Sequence, residues 1–398
     1  MKVLLAVGQH QYGDPARGLS TEYAAFRPAL ERLGHAVRHF EIWNRRIYPG
    51  GLPELNQRLL EEVRQERPEV LLTVQLQYEI WLETLAAIRS LGHTATVCWT
   101  TDDSWKFREV SRFVGPAYDA MTTTYPAVVP RYHACGIPNV LPTQWAAPSG
   151  SLQPPRAAAE CRYPVSFVGT AHGDRKERIA ELDRNGISVH CFGHGWPAGP
   201  VPFDAIPGII RNSVISLNFA NARGGPQLKA RTFEVPGAGG FLLTEDAPGL
   251  DRWYRPGQEV AVFRNSTELA NQIRHYLSHP DDRDAVARAG HDRTRREHTY
   301  EHRLEAVLRF ARRAAGARSD HSAPGEIQLT AARRRHRLTP ALRALRALLI
   351  GAGTMAFGPE RGPRAARRLV FELSWRLAGR RTFSAGGWPG RMFGDRTM

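Results

Sequence analysis

The chain has 398 residues, 42% of them hydrophobic and 23% charged, which is room for two domains with their own cores and excludes a wholly disordered or fibrous protein. Its net charge of +15 is unevenly placed: Ala315 to Met398 holds 16 Arg and no Lys against five Asp or Glu, so +11 belongs to this end and only +4 to the rest. The body therefore lacks the basic surface of a nucleic-acid binder, and a nucleic-acid partner is not expected.

The opening MKVLLAVGQHQYGD is too short for a signal segment and predicts a first strand over residues 2–7. A helix follows from Ser20, as N-cap, to Leu33, with Gly34 as terminator. AVRHFEIW is a second strand, Pro53 to Glu66 a second helix, EVLLTVQ a third strand, Ile80 to Ser90 a third helix, and TATVCWT a fourth strand. This alternation predicts a parallel Rossmann-like sheet, and no GxGxxG follows the first strand, so a dinucleotide cofactor is not supported. Ligands of such sheets collect after the strand ends, where His10, Asp102 and Asp103 stand. Each is a candidate for taking a proton from an acceptor hydroxyl, and either Asp is equally a candidate cap for a helix starting near Ser104. DAMTTT and NVLPTQWAAP complete this half, and the Pro, Ser and Ala-rich residues 148–160 read as a linker. Cys98, Cys135, Cys161 and Cys191 have neither CxxC nor Cys/His spacing, so neither a zinc site nor a disulfide framework is signalled.

The pattern restarts with the strand YPVSFVGT and the turn AHGDRKERIAEL entering a helix. Gly169, Thr170 and Gly173 permit a close backbone approach to phosphate there, with Arg175 just inside the helix. GISVHCFGHGWP gives a strand ending at a turn where His194 or Trp196 is a candidate for stacking on a nucleobase, or Trp196 simply lies on the surface. The stretch from Asn212 to Asp246 then reads as a strand, a loop from Asn221 to Pro226 with Gly224 and Gly225, a helix from Gln227 to Val235, a Gly turn and a second buried strand. On that helix Gln227, Arg231 and Glu234 share one face. Arg231 with Lys229 suits a diphosphate and Glu234 two vicinal hydroxyls, unless Arg231 and Glu234 are only an exposed ion pair.

RTFEVPGAGGFLLTED resembles the donor-binding segment of GT-B glycosyltransferases of the group 1 type, most of all the spore-maturation (CgeB-like) branch. The likeness covers about residues 163–313 well and 1–145 in pattern. It implies a GT-B fold: two Rossmann-like parallel-sheet α/β domains facing across a cleft, here an acceptor domain at 1–147, the linker at 148–160 and a nucleotide-sugar donor domain at 161–316. It also implies metal-independent transfer with no tightly bound cofactor, the nucleotide sugar being a co-substrate and the acceptor a glycan or lipid-linked hydroxyl of the cell envelope. In the wider family two Glu flank this helix; Glu234 matches the second, but Pro226 stands at the first, so that carboxylate's role does not carry over. An epimerase of the same fold, or a non-catalytic scaffold working through its basic end, are the rival readings.

Residues 317–398 form an Arg-rich tail. Two amphipathic helices are expected, one ending at Gly358 and one from Pro363 to Arg381. Arginine with Leu, Ile, Phe and Trp across residues 330–381 suits an anionic membrane surface, and equally a hairpin packed on the protein itself. No stretch reaches the ~18–20 uncharged apolar residues of a span, so a cytoplasmic protein, peripheral on the inner face of the plasma membrane, is expected.

Overall fold

The computed structural model describes residues 1–220, 225–317 and 325–394. They divide into two compact units, Met1–Thr143 with Glu305–Met398, and Gln144–Leu304. The first holds a six-stranded sheet of β1 (Lys2–Ala6), β2 (Ala36–Phe40), β3 (Val70–Thr73), β4 (Ala95–Trp99), β5 (Ala120–Thr123) and β6 (Val140–Pro142), in the order β2-β1-β3-β4-β5-β6 and parallel throughout. Strands β3, β4 and β5 are buried at every residue, as a sheet covered on both faces requires. Helix α1 (Thr21–Arg32) starts where the Ser20 hydroxyl accepts the Tyr23 N–H at 3.1 Å. Helix α2 (Leu52–Glu66) buries Leu52, Leu55, Leu59 and Val63 on one stripe and stops at Arg67, which turns left-handed (φ 47°) before Pro68. Helices α3 (Leu82–Ser90), α4 (Asp103–Lys106), α5 (Arg112–Val114) and α6 (Val129–Ala134) complete this half.

The second unit is built from β7 (Tyr163–Val168), α7 (Arg175–Arg184), β8 (His190–Phe192), α8 (Ile206–Arg211), β9 (Ser213–Asn218), α9 (Arg231–Gly237), β10 (Leu242–Glu245), β11 (Ala261–Phe263), α10 (Ser266–Ser278) and α11 (Pro280–Glu297). Its parallel sheet runs β11-β10-β9-β7-β8. Phe167, Leu217, Phe219, Phe241, Phe263 and Ile273 fill one core cluster and Phe233, Val235, Leu242, Tyr254 and Val260 another. Strand order reverses beside β7, so the crevice that a ligand can enter lies beyond the carboxyl ends of β7 and β9. Residues 148–160, expected as a linker, are tied into this unit: Gln153 N–H donates to the Gly237 carbonyl at 3.2 Å and Ala158 N–H to Asp284 at 3.1 Å.

The C-terminal helices are α12 (Tyr300–Gly316), α13 (Gly325–Arg335), α14 (Pro340–Ala378) and α15 (Trp388–Phe393). The first expected tail helix is broken at residues 336–339, because Pro340 cannot donate and Thr339 caps a new start, its hydroxyl accepting from Leu342 N–H at 3.4 Å. The two expected helices are instead arms of α14, which reverses at Gly358 (φ 80°, ψ 170°). The arms touch at two glycines: a Cβ on Gly362 would lie 2.4 Å from Thr354 N, and one on Gly353 2.6 Å from the Gly362 oxygen.

The tail is thus no separate appendage. Val370, Phe371, Ser374 and Trp375 of the second arm are buried in the first unit, where Phe371 lies 6.0 Å from Tyr78, Phe383 stacks on Phe113 at 5.7 Å, and Arg368 pairs with Glu109 at 2.8 Å. Of the two readings of the tail, packing on the protein's own body holds for this arm. Among the described residues one stretch, Pro340–Phe383, is long and apolar enough by length and composition to cross a membrane. The reversal at Gly358 and the arginines at 343, 346, 361 and 364 interrupt it.

Candidate functional site

The carboxyl end of β7 is where charged side chains converge in the second unit. Arg175, the first residue of α7, turns back and donates to the Thr170 carbonyl at 2.9 Å and to the Phe219 carbonyl at 3.5 Å, spanning the point where strand order reverses. It also lies over the Phe167 ring at 5.3 Å, and burial holds its guanidinium below the usual arginine range. Gly169 leaves room here: a Cβ would crowd the tip of the Phe167 ring at 3.0 Å and touch the Arg175 guanidinium at 3.5 Å. Gly173 adopts a left-handed φ of 61° just before the helix. Gly169, Thr170, Gly173 and Arg175 are therefore together, as the sequence pattern suggests, with Arg175 closing the turn.

Arg231 approaches the same strand end from α9. Its Nε donates to the Val168 carbonyl at 3.1 Å and its Nη1 to the Glu234 carboxylate one turn on. Burial pulls its pKa down to about 10, and the Arg175 charge pushes the same way while Tyr300 opposes. Glu234 is 9% exposed and Arg231 21%, so this is a partly buried pair and not the exposed surface pair that was the alternative. Both line a small hollow of about 20 Å³ with Phe203, Ile206 and Ile210, room for a water but not for a sugar.

Gln227 departs from expectation. Helix α9 begins at Arg231, so Gln227 and Lys229 precede it, and Gln227 is not on a helical face with Arg231 and Glu234. The reason is local: Gln227 N–H bonds to the Ala220 carbonyl at 2.9 Å, which folds the chain back before a helix can start. Seven residues with no side-chain cap also make a weak helix end, so the guanidiniums rather than a helix terminus supply the positive charge. Of the Gly-rich loop, Gly225 (φ 106°) and Pro226 are described and Gly224 lies outside the described residues.

Two further residues belong here that the motif reading passed over. Arg178 donates to Asp174 at 2.7 Å and pairs with Glu245 at 3.0 Å, while the other Glu245 oxygen accepts the Ala220 N–H at 2.9 Å. Glu245 is the last residue of β10, so the strand-end rule applied to this half would have found it.

The turn after β8 is zipped to the turn after β7. Ala171 N–H donates to the His194 carbonyl at 2.8 Å, Trp196 Nε1 donates to the Gly169 carbonyl at 2.8 Å, and a Cβ on Gly193 would lie 2.4 Å from the Gly169 oxygen. Trp196 packs edge-on against Phe167 at 5.9 Å and lines an open groove with Lys176, Ile179 and Val189, so its ring is partly committed to holding the turn; His194 is exposed.

The first-unit candidates separate. Asp103 is buried and accepts from three hydroxyls, Ser111 at 2.6 Å, Thr100 at 2.6 Å and Tyr132 at 2.7 Å. Burial raises its pKa while those donors oppose the rise, and a carboxylate so enclosed ties the end of β4 to α6. Asp102 sits in a left-handed conformation (φ 57°, ψ 33°) at the start of α4, is half-buried, and makes no side-chain cap bond. His10 is half-buried in the loop after β1, in a bridge to Leu19. Among the described residues no three His, Cys, Asp or Glu side chains are grouped to hold a metal ion.

Residues 175–309 match the model of a family described as glycosyl transferase-like. No curated protein sequence matches. The fold is similar to that of sucrose-phosphate synthase from Thermosynechococcus elongatus, with 11% identity, a TM-score of 0.58, and 78% of this chain and 98% of that chain covered. It is similar also to Anabaena HepE in complex with UDP-glucose (12%, TM-score 0.55, 77% and 98% covered) and to a glycosyltransferase from Rickettsia africae (10%, TM-score 0.53, 79% and 99% covered). At such identities the likeness establishes the fold, that of GT-B proteins with two Rossmann-like parallel-sheet domains.

Proposed function

We propose that this glycosyltransferase-like chain of GT-B fold moves a sugar from a nucleotide diphosphate sugar to an acceptor hydroxyl. The observation that carries the reading is the convergence of the Arg175 and Arg231 guanidiniums on the carbonyls that end β7, at the reversal of strand order. Burial and the Arg175 charge both lower the basicity of Arg231, and an anion bound beside the two guanidiniums would favour their charged forms; the diphosphate of a nucleotide sugar is an anion that planar guanidiniums suit. As the bond from the anomeric carbon to the diphosphate oxygen breaks, charge grows on the leaving group. Arg175, Arg231 and Lys229 stabilise it, and the hollow beside Arg231 and Glu234 must widen for Glu234 to accept hydrogen bonds from donor hydroxyls. A protein of the same fold is known with UDP-glucose bound, which supports this class of donor.

For the acceptor proton we assign Asp102 or His10, since Asp103 is committed to its three hydroxyl donors. The finer reading is a CgeB-like enzyme acting on a cell-envelope glycan or glycolipid from the cytoplasmic side, without a metal ion. Calorimetry with UDP-, GDP- and TDP-hexoses, followed by product analysis with and without acceptor, tests it. Binding of one donor, weakened in Arg231→Ala, and transfer only with acceptor are expected. Sugar isomerisation by donor alone would make the chain an epimerase, and no binding of any nucleotide sugar would end the proposal.

A further inference from the structure

The first arm of α14 has two apolar faces and only one is used. Leu342, Leu349 and Ile350 pack inward on the cluster of Ala366, Val370, Met392 and Phe393. On the outward side Leu345, Leu348, Ala352 and Met355 recur at helical spacing, and the three large ones are 44%, 68% and 86% exposed. No charged residue interrupts this stripe, which continues at the reversal into Phe357, 61% exposed. Of the twelve exposed large apolar side chains among the described residues, eight lie between Leu345 and Trp388, so the exposure is concentrated and not scattered.

The charge around the stripe selects what covers it. Residues 331–394 contain 14 Arg and no Lys against Glu360 and Glu372, and Glu372 is already paired with Arg368 and Arg376. A second copy of this chain would bring the same excess of positive charge face to face, whereas a surface of lipid phosphates neutralises it. The hairpin is held in place by its second arm, through Phe371, Trp375 and the Arg368–Glu109 pair, so little order is lost on docking.

We propose that the outward stripe of the first α14 arm, with Phe357 at the reversal, inserts into the interface of an anionic lipid bilayer while Arg361 and Arg364 contact lipid phosphates. The arm lies in the interface and does not cross the bilayer, because the chain reverses at Gly358 and meets Arg361 and Arg364 directly. This is independent of the reading of the donor site.

Flotation of the full chain with phosphatidylcholine vesicles, with and without phosphatidylglycerol at about one part in three, tests the proposal. Binding is expected with the anionic vesicles only, falling at least tenfold in Leu348→Glu/Met355→Glu and severalfold in Arg361→Gln/Arg364→Gln, with the circular dichroism spectrum and thermal melt unchanged in both as the check on folding. Equal binding of wild type and the Leu348→Glu/Met355→Glu variant, or no binding of wild type, overturns it. So does sedimentation showing a wild-type dimer that this variant abolishes, with vesicle binding unaffected.

Discussion

Arg231 Nε donates to the main-chain carbonyl of Val168 at 3.1 Å, which fixes a side chain from α9 on the end of a strand 63 residues earlier. Arg175 is fixed in the same manner on Thr170, two residues further along. The backbone thus sets the positions of both cations, and a planar guanidinium held by a carbonyl keeps its charge for an anion. Burial lowers the basicity of both guanidiniums, and the carbonyl acceptors, with Glu234 beside Arg231, offset part of that cost.

Replacing Arg231 by Ala is expected to lower kcat/KM for sugar transfer by about 10²–10³-fold, on the order of 3–4 kcal/mol of transition-state stabilisation. Arg231→Lys should recover only a small part, because an ammonium cannot serve Val168 and the diphosphate together from one plane. Steady-state kinetics beside a thermal melt provides the check: the melting temperature should fall, because Glu234 and the Val168 carbonyl lose their partner, and the loss in kcat, larger than that in KM, should persist at temperatures where the variant is fully folded.

Asp103 and Asp102 are adjacent in sequence but should respond oppositely. Asp103→Asn leaves one of three buried hydroxyls without its acceptor and should cost about 1–3 kcal/mol of stability, read from urea unfolding. Asp102→Asn should leave stability nearly unchanged. Loss of transfer in a fully stable Asp103→Asn variant would reverse this assignment of roles.

Hydrophobic period and punctuation made most elements readable. Strands β1, β3 and β4 of the first sheet are short, mostly apolar runs, and Ser20, Gly34 and Pro68 mark where α1 begins and where α1 and α2 end. Helical spacing paired Arg231 with Glu234, the resemblance added a role for Glu234, and the structure fixes Arg231 on the Val168 carbonyl. What could not be read were features set by contacts distant in the chain. The bond from Gln227 to Ala220 shortens α9, and the three hydroxyls around Asp103 come from Thr100, Ser111 and Tyr132, on different elements. The tail illustrates a third kind: Phe371 and Trp375 look alike on a helical wheel whether they meet lipid or protein, and only Tyr78 beside Phe371, with Arg108 and Arg112 beside Trp375, decides it.

The α14 hairpin depends on close backbone approach at Gly353 and Gly362. Gly362→Ala puts a methyl 2.4 Å from Thr354 N, a backbone atom that cannot rotate away, and is expected to destabilise by about 1–3 kcal/mol. Gly351→Ala, where nothing lies near the added carbon, should be neutral or slightly stabilising and serves as the control. Thermal unfolding of the two variants side by side checks this, and equal melting temperatures would mean that the arms are not in contact.

His298 should make the second unit sensitive to acid. Its Nε2 lies 2.7 Å from the Trp253 carbonyl, which can only accept, so Nε2 carries the proton; its Nδ1 lies 3.2 Å from an Arg303 nitrogen, which can only donate, so Nδ1 is bare. Protonating Nδ1 would set a second cation against Arg303. Burial first, with Arg303 adding, lowers the His298 pKa below 6.5 against the opposing bond to Trp253. The unfolded chain therefore binds a proton that the folded chain refuses, between the lowered value and 6.5. Stability from this group is complete above 6.5 and declines as pH falls, by about 1.4 kcal/mol for each unit of separation, levelling off below the folded value. His35, His39 and His336 are lowered as well and act in the same direction, so the comparison must be between proteins that differ only at 298. In His298→Gln the amide can donate to Trp253 and accept from Arg303 without titrating. Urea unfolding from about pH 7.5 to about pH 5 should show the variant losing less stability than wild type, by up to one proton's slope. Parallel curves for the two proteins would show that His298 is protonated alike in both states.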